Sequence, residues 1–462
     1  MSHQDKICCQ VRLNSEYLKQ ALQWLLGQVD WRRIEWRGDC RWTPLQLAAT
    51  ALLWAWSDEA TLAERYFAAR RLANHLYRPQ REFAASWQAF IKLLGRWSDP
   101  LISAIQAAMR QRMQDALAAS WTVHDFVVFG VDGSRVDLPR TKSHEAVNGL
   151  AKDQRGKKIK PNRRKKPRTK AASKKANVPQ RWLTLLWHAG TGLPWIWRTG
   201  PTGSSEREHF RQMIDELPPA ALIAADAGFV GYEYLRAVIN SGRQILVRVG
   251  SNVRLLRKLG WAKESSGIVY LWPERAAQKQ QPALVLRLVV LHGGKYPVYV
   301  VTSVRAHRLS DVQVGDLYRR RWGIELYFRC FKQTFHRRKL RSHCAENAEV
   351  EIQWSLLGLG CMALYAQAEQ AKRGIAPEEL SPAAVLRVFR RVMRDYLHPA
   401  ERRRSMVLLL CAAIRDKYER KNKNSRDYPR RKHPDPPAGP PIIINASKQQ
   451  IQLARKLRAA AA

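Results

Sequence analysis

The chain has 462 residues, a length that accommodates two to four domains of ordinary size. Hydrophobic residues make up 45%, and 17 Trp and 14 Tyr supply large side chains, so a sizeable core is within reach. Lysine and arginine total 80 against 39 acids, a net charge of +41; a polyanion is the expected partner, although charge alone does not choose DNA over a ribosome or a membrane surface.

Seven cysteines, an odd number with no CxxC pair, argue against a disulfide framework or a zinc ribbon and for reduced thiols in the cytoplasm. The first residues, MSHQDKICCQVRLN, lack an apolar signal core. The longest apolar run, 406–414, is too short to cross a bilayer, so no membrane partner is expected.

Residues 14–120 read as helical, with apolar residues at three- and four-residue spacing over 17–26, 45–56, 61–73, 81–94 and 101–118. Asp99-Pro100 marks a boundary before the last of these. Most tryptophans here read as core; the arginines between them, Arg32, Arg33, Arg37, Arg70 and Arg71, either contact phosphates or solvate a helix face.

Residues 126–131, FVVFGV, read as a buried strand ending at Asp132-Gly133-Ser134. An acid at the end of a buried strand is costly unless it meets a cation or faces a cleft; a turn aspartate before glycine is the plainer reading. Residues 143–177 form a basic tract without periodicity, expected as a loop or arm that neutralises phosphates or is simply solvated. A hairpin is expected over 181–199, a helix over 204–216, a strand over 221–225 that ends at Asp226, a helix over 232–240 and a strand over 244–249. That order allows the first and fourth strands to lie side by side and parallel.

Residues 251–304 alternate β-prone runs with turns and read as a small β insertion. A helix is expected over 311–335 with Ser310 as its N-cap. Further helices follow over 346–371, from Pro382 to about 396, and over 406–414, then a Pro-rich linker, 434–441, and a helical tail, 449–462.

The helix carrying residues 318–332, YRRRWGIELYFRCFK, holds the most specific pattern in the chain. At about 100° per residue, Tyr318, Arg321, Glu325 and Lys332 fall within one narrow stripe, beside the apolar Leu317, Ile324, Phe328 and Phe331. Burying that apolar side would hold Glu325 at the lip of a core. A basic amphipathic helix facing water is the plainer reading.

The spacing of Tyr318, Arg321, Glu325 and Lys332 matches the YREK signature and resembles the DDE transposases of bacterial insertion sequences, in the subgroup named after insertion sequence four. The resemblance covers roughly residues 126–340. It implies an α/β RNase H-like catalytic core with a β-strand insertion, flanked by N- and C-terminal helical regions. The corresponding divisions are 1–120, a helical DNA-binding region; 121–250 with 305–345, the core; 251–304, the insertion; and 346–462, a helical region with a basic tail.

The resemblance implies catalysis and metal binding by Asp132, Asp226 and Glu325, with two Mg²⁺ ions as cofactor and Mn²⁺ as a substitute. Oxygen ligands suit such hard cations. It implies contacts to transposon-end DNA from Tyr318, Arg321 and Lys332, with Trp322 as a stacking contact, and a homodimer when two ends are paired. The helical region after Glu346 is the expected place for that contact. If a base is flipped onto the insertion, Trp261, Trp272, Tyr296 and Tyr299 are the available aromatics. The family often places Arg after the second Asp, where this chain has Ala227. Asp137, Asp215, Glu206, Glu233 and Asp311 lie near these motifs and are expected mainly as surface charges. A non-catalytic nucleic-acid-binding protein, or an RNase H-like nuclease without strand transfer, would share much of this pattern.

Overall fold

The computed structural model describes residues 16–36, 41–79, 82–83, 86–149, 178–262, 267–293, 296–397, 405–415 and 439–461. Most of the basic tract, the stretch 416–433 and residues 434–438 of the linker lie outside them.

Four helices precede the first strand: α1 (16–26), α2 (Pro44–Trp56), α3 (Leu62–Tyr77) and α4 (Trp87–Ala116). Thr43 with Gln46, and Thr61 with Glu64, close reciprocal capping boxes that fix where α2 and α3 begin. The boundary expected at Asp99-Pro100 is absent, because α4 runs through Pro100. Pro100 deprives the Arg96 carbonyl of its helical donor, but both residues are exposed, so solvent can satisfy it.

Ten strands form one sheet: β1 (Val128–Asp137), β2 (Gln180–His188), β3 (Leu193–Gly200), β4 (Leu222–Ala225), β5 (Gln244–Val249), β6 (Arg254–Arg257), β7 (Ile268–Leu271), β8 (Leu284–Leu291), β9 (Val298–Thr302) and β10 (Ile442–Asn445). Their order is β10-β6-β7-β8-β9-β5-β4-β1-β2-β3. Strands β1, β2 and β3 form an antiparallel meander, and β4 and β5 run parallel to β1. This five-strand half runs β3-β2-β1-β4-β5, with the first and fourth strands adjacent and parallel as expected. Between its strands lie α5 (Lys142–Asn148), α6 (Glu206–Arg211) and α7 (Tyr232–Asn240).

Two elements depart from the sequence reading, and the β insertion expected over 251–304 is present as an extension of the core sheet. The start of the basic tract is helical: Thr141 caps α5, and the buried His144 reaches the Ser342 carbonyl at 2.9 Å. The insertion makes no layer of its own, since β9 pairs with β5 and prolongs the core sheet, with the short helix α8 (Glu274–Gln278) between β7 and β8. The C-terminal region is not wholly helical, since β10 pairs in parallel with β6. Its three consecutive isoleucines favour extended backbone and cover an otherwise open edge.

After the sheet come α9 (Asp311–Arg320), α10 (Trp322–Arg329) and a π-helical turn, Cys330–Thr334. Arg321 keeps helical dihedrals (φ −51, ψ −32), so the expected long helix is present with its hydrogen-bond ladder re-set at two points. Helix α11 (Ala345–Ala371) is buried along most of its length against α2 and α4, so it is not a free surface for a second copy. The last helices are α12 (Pro382–Leu397), α13 (Met406–Cys411) and α14 (Lys448–Ala461).

Glu351 of α11 ties this helix to the chain leaving the π turn. Fully buried, it accepts from the Arg341 N–H (3.0 Å), the Ser342 N–H (3.0 Å) and the Ser342 hydroxyl (2.8 Å), with Arg337 3.9 Å away. Glu351→Ala strands two backbone donors and a buried guanidinium. It is expected to cost about 3–5 kcal/mol in urea denaturation.

Candidate active site

A notch in the sheet sets the geometry. Strand β1 pairs with β4 only over Val128, Phe129 and Gly130, but with β2 as far as Asp137. On the β4 side its edge stays open until Asp137, whose N–H donates to the Arg338 carbonyl and whose carbonyl accepts from Leu340 N–H. Asp132 therefore sits within β1, beside this opening, and not at a strand end as the sequence suggested. Continued pairing with β2 overrides the turn-like look of Asp132-Gly133-Ser134. Asp226 follows the last residue of β4 and accepts the Gly228 N–H at 2.8 Å, which fixes the short 3-10 turn Ala227–Phe229.

Glu325 reaches the notch from above one sheet face. Alternation along β1 puts Gly130 and Asp132 on the same face. A Cβ on Gly130 would lie 3.4 Å from the Trp187 ring and 3.9 Å from Ile324, so α10 covers that face. Gly323 admits the helix: any side chain there would overlap the Trp187 ring. Ile324, Phe328 and Phe331 are buried beneath, and Glu325 stays about one-third exposed at the rim.

The three carboxylates share one electrostatic neighbourhood. Burial, together with the charges of Asp226 and Glu325, pushes the Asp132 carboxyl up to about 6, against the opposing Gly133 N–H bond (2.9 Å) and Arg321. Each carboxylate is turned to a donor of the chain itself: Asp132 to Gly133, Asp226 to Gly228, and Glu325 to Arg321 Nη2 at 3.0 Å. Among the described residues no three His, Cys, Asp or Glu side chains converge as a ready-made chelate for one ion.

An all-carboxylate, oxygen-only donor set nevertheless suits a hard divalent cation, which commonly takes one or two protein carboxylates plus water or phosphate oxygens. Mutual repulsion at Asp132 is what such a cation would relieve.

The rest of the motif surrounds Glu325. Arg321 is buried at 9% exposure, lies over the Tyr318 ring with its guanidinium carbon 5.6 Å from the centroid, and leaves its Nε without a partner. Lys332 is half-buried; burial pulls its ammonium below the ordinary value while Asp137 and Asp132 oppose. Trp322 points away, 51% exposed. It borders a cavity of about 520 Å³ on the far side of α10, lined also by Trp187, Arg319, Arg320 and Arg329 but by none of the three carboxylates. In the insertion, Trp272 is buried and donates to the Gln281 carbonyl, so it offers no open ring face, whereas Tyr296 is 48% exposed.

Of the neighbouring acids, Asp215, Glu233 and Asp311 are exposed. Asp137 is not a surface charge but accepts from Gln180 Nε2 at 2.8 Å. Glu206 also departs from expectation. It is half-buried, and burial, Asp132 and Asp226 push its carboxyl up to about 7. In sequence it is an ordinary first-turn helix glutamate; only Gly133, the small neighbour of Asp132, hinted at space for it.

A family model described as "Transposase DDE domain" matches residues 124–359, just over half of the chain and the whole stretch that builds the notch. The chain belongs to the transposase DDE domain family. The matched stretch comprises strands β1 to β9 and the motif helix. This transposase-family chain is 29% identical over 228 residues to the transposase InsG for insertion sequence element IS4 of Escherichia coli (strain K12), across 46% of the chain and 51% of that protein. The chain thus spans about half the length of this curated relative. The cryo-EM structure of a piggyBac transposase synaptic complex with hairpin DNA superposes over 91% of the chain and 87% of its own, at 11% identity and a TM-score of 0.37. Among the described residues no helix is long and apolar enough to cross a membrane.

A carboxyl raised in the folded state loses stability as pH climbs from the ordinary carboxylate range, near 4, through the raised value, because the native state then holds the extra proton. For Asp132 that window runs from about 4 to about 6. Asp132→Asn is therefore expected to stabilise the metal-free protein at pH 7.5 by about 1–3 kcal/mol, with the gain fading toward pH 4. Denaturant titration in EDTA at both pH values checks this.

Proposed function

We propose that this chain is an insertion-sequence transposase that binds terminal inverted repeats of double-stranded DNA and carries out cut-and-paste strand cleavage and transfer. The supporting observation is that Asp132 in β1 and Asp226 after β4 flank one notch of the sheet, with α10, which carries Glu325, covering that face and Arg321 bonded to Glu325, in a member of the transposase DDE family.

Asp132, Asp226 and Glu325 are the residues to hold two Mg²⁺ ions, or Mn²⁺ in their place. When bound, such ions supply Lewis-acid stabilisation of the attacking and departing oxygens of an in-line phosphoryl displacement. The chain's own groups do the positioning. Arg321 orients Glu325 through its Nη2 bond and keeps a free Nε on the buried side. Lys332, on the same stripe, brings a cation to the region of Asp132 for a phosphate next to the scissile bond. Tyr318 backs Arg321 with its ring, and Trp322 offers an exposed face on which an unpaired base can stack. The remaining positive charge suits backbone contacts. Pairing two ends calls for a homodimer on DNA, in the cytoplasm at the nucleoid.

Asp132→Asn, Asp226→Asn and Glu325→Gln are each expected to lower Mg²⁺-dependent cleavage of repeat-ended DNA at least about a thousandfold while gel-shift binding persists. Retained nicking by any one variant removes that residue from the set.

The Arg319 side chain is 80% exposed beside the motif. Arg319→Ala is expected to lower the slope of log affinity against log salt by about 1, with little sequence dependence. An unchanged slope in filter-binding titrations excludes Arg319 from phosphate contact.

A further inference from the structure

We propose that the cavity behind α10 binds a free mononucleotide, with its base against Trp187 and Gln367 and its phosphate at the arginines of the mouth. None of the three carboxylates lines this cavity, so the proposal goes beyond their assignment and does not rest on it.

Two buried polar groups define the inner end. Trp187 is 6% exposed and Gln367 2%, yet among the described residues the Trp187 Nε1–H and the Gln367 Oε1 each lack a hydrogen-bond partner. Buried polar groups are seldom left in that state. Both residues line the cavity, and both lie by the hairpin turn 189–192. Gln367 Nε2 donates to the Thr191 carbonyl at 2.8 Å. Trp187 Cζ2, on the nitrogen side of the indole, is 3.6 Å from where a Cβ on Gly192 would stand.

That pair selects the chemistry. A free donor and a free acceptor at one end of a cavity call for an occupant with an acceptor and a donor on one edge, as nucleobases have. A carboxylate or phosphate offers acceptors only and leaves the Gln367 oxygen unmet. A hydrocarbon leaves both atoms unmet. The volume, about 520 Å³, falls in the usual range for small-ligand pockets, roughly 300–1,000 Å³.

The outer end asks for an anion. Arg319, Arg320, Arg329 and Arg415 line it against one acid, Glu378. Arg319, Arg329 and Arg415 are exposed and so mark the solvent side. Asp316 serves Arg319 and Arg320, while among the described residues no carboxylate pairs with Arg329 or Arg415. A terminal phosphate carries more charge and more free oxygens than a diester within a strand, and guanidinium forks suit it. Trp322, at the border, offers a ring face to the base.

The test is calorimetric titration of the full chain, in EDTA, with each common nucleoside 5′-monophosphate, ribo and deoxy. EDTA removes metal-borne binding at the notch, so the result stands whatever becomes of the carboxylate assignment. Saturable binding of at least one nucleotide is expected, with its nucleoside about tenfold weaker. Gln367→Met keeps the side-chain length, loses the oxygen, and is expected to weaken the nucleotide about tenfold. Arg329→Ala, at an exposed residue, is expected to weaken the nucleotide about fivefold and the nucleoside hardly at all. Hydrogen exchange is expected to slow in 188–193 and in α10 when the nucleotide is added. No saturable binding, or binding that neither variant changes, overturns the proposal. Tighter binding of a trinucleotide than of the mononucleotide assigns the cavity to a DNA strand and overturns it as well. Should Gln367→Met not fold, Arg329→Ala decides.

Discussion

The Trp187 ring between two glycines is the contact on which the active-site geometry depends. It lies against Gly130 of β1 on one side and Gly323 of α10 on the other. With no side chain at either glycine, helix and sheet approach closely enough for Ile324 to seat over β1. Glu325 is the next residue, so its height above the notch follows from that contact. Interiors are packed near crystal density and yield little, so shape fixes the spacing.

Charge organises the site in the opposite sense to the molecule. The chain as a whole is at +41, yet the notch collects carboxylates whose mutual repulsion shows in the raised Asp132 and Glu206. A bare cluster of this kind would repel a phosphate. A divalent cation reverses the sign locally, which makes binding of metal and of anionic substrate mutually reinforcing. Arg321 bridges the two regimes, bonded to Glu325 and near Asp132.

Much of this was readable in the chain. The ranges 232–240 and 244–249 carry clear periodicity and match α7 and β5. Asp226 was placed rightly because β4 is short and wholly apolar up to Ala225, so the strand end is sharp. The motif stripe was legible since helical spacing fixes angles; the burial of Leu317, Ile324, Phe328 and Phe331 follows from it. What escaped depended on distant partners. Strand β1 continues past Asp132 only because β2 pairs with it, and α4 passes Pro100 only because that face meets water. Strand β10 needs the edge of β6. Glu206 gains meaning from Gly133, 73 residues earlier, which no local window contains.

The late strand has a bearing on synthesis. Residues 442–445 pair with 254–257, so the sheet cannot be completed until about 190 residues beyond β6 have left the ribosome. Until then β6 presents a bare rim of backbone donors and acceptors, the kind of surface that recruits strands from other molecules. Protein emerging on crowded polysomes is therefore most exposed to misassembly at the rim of the insertion, at the far end of the strand order from β1 and β4.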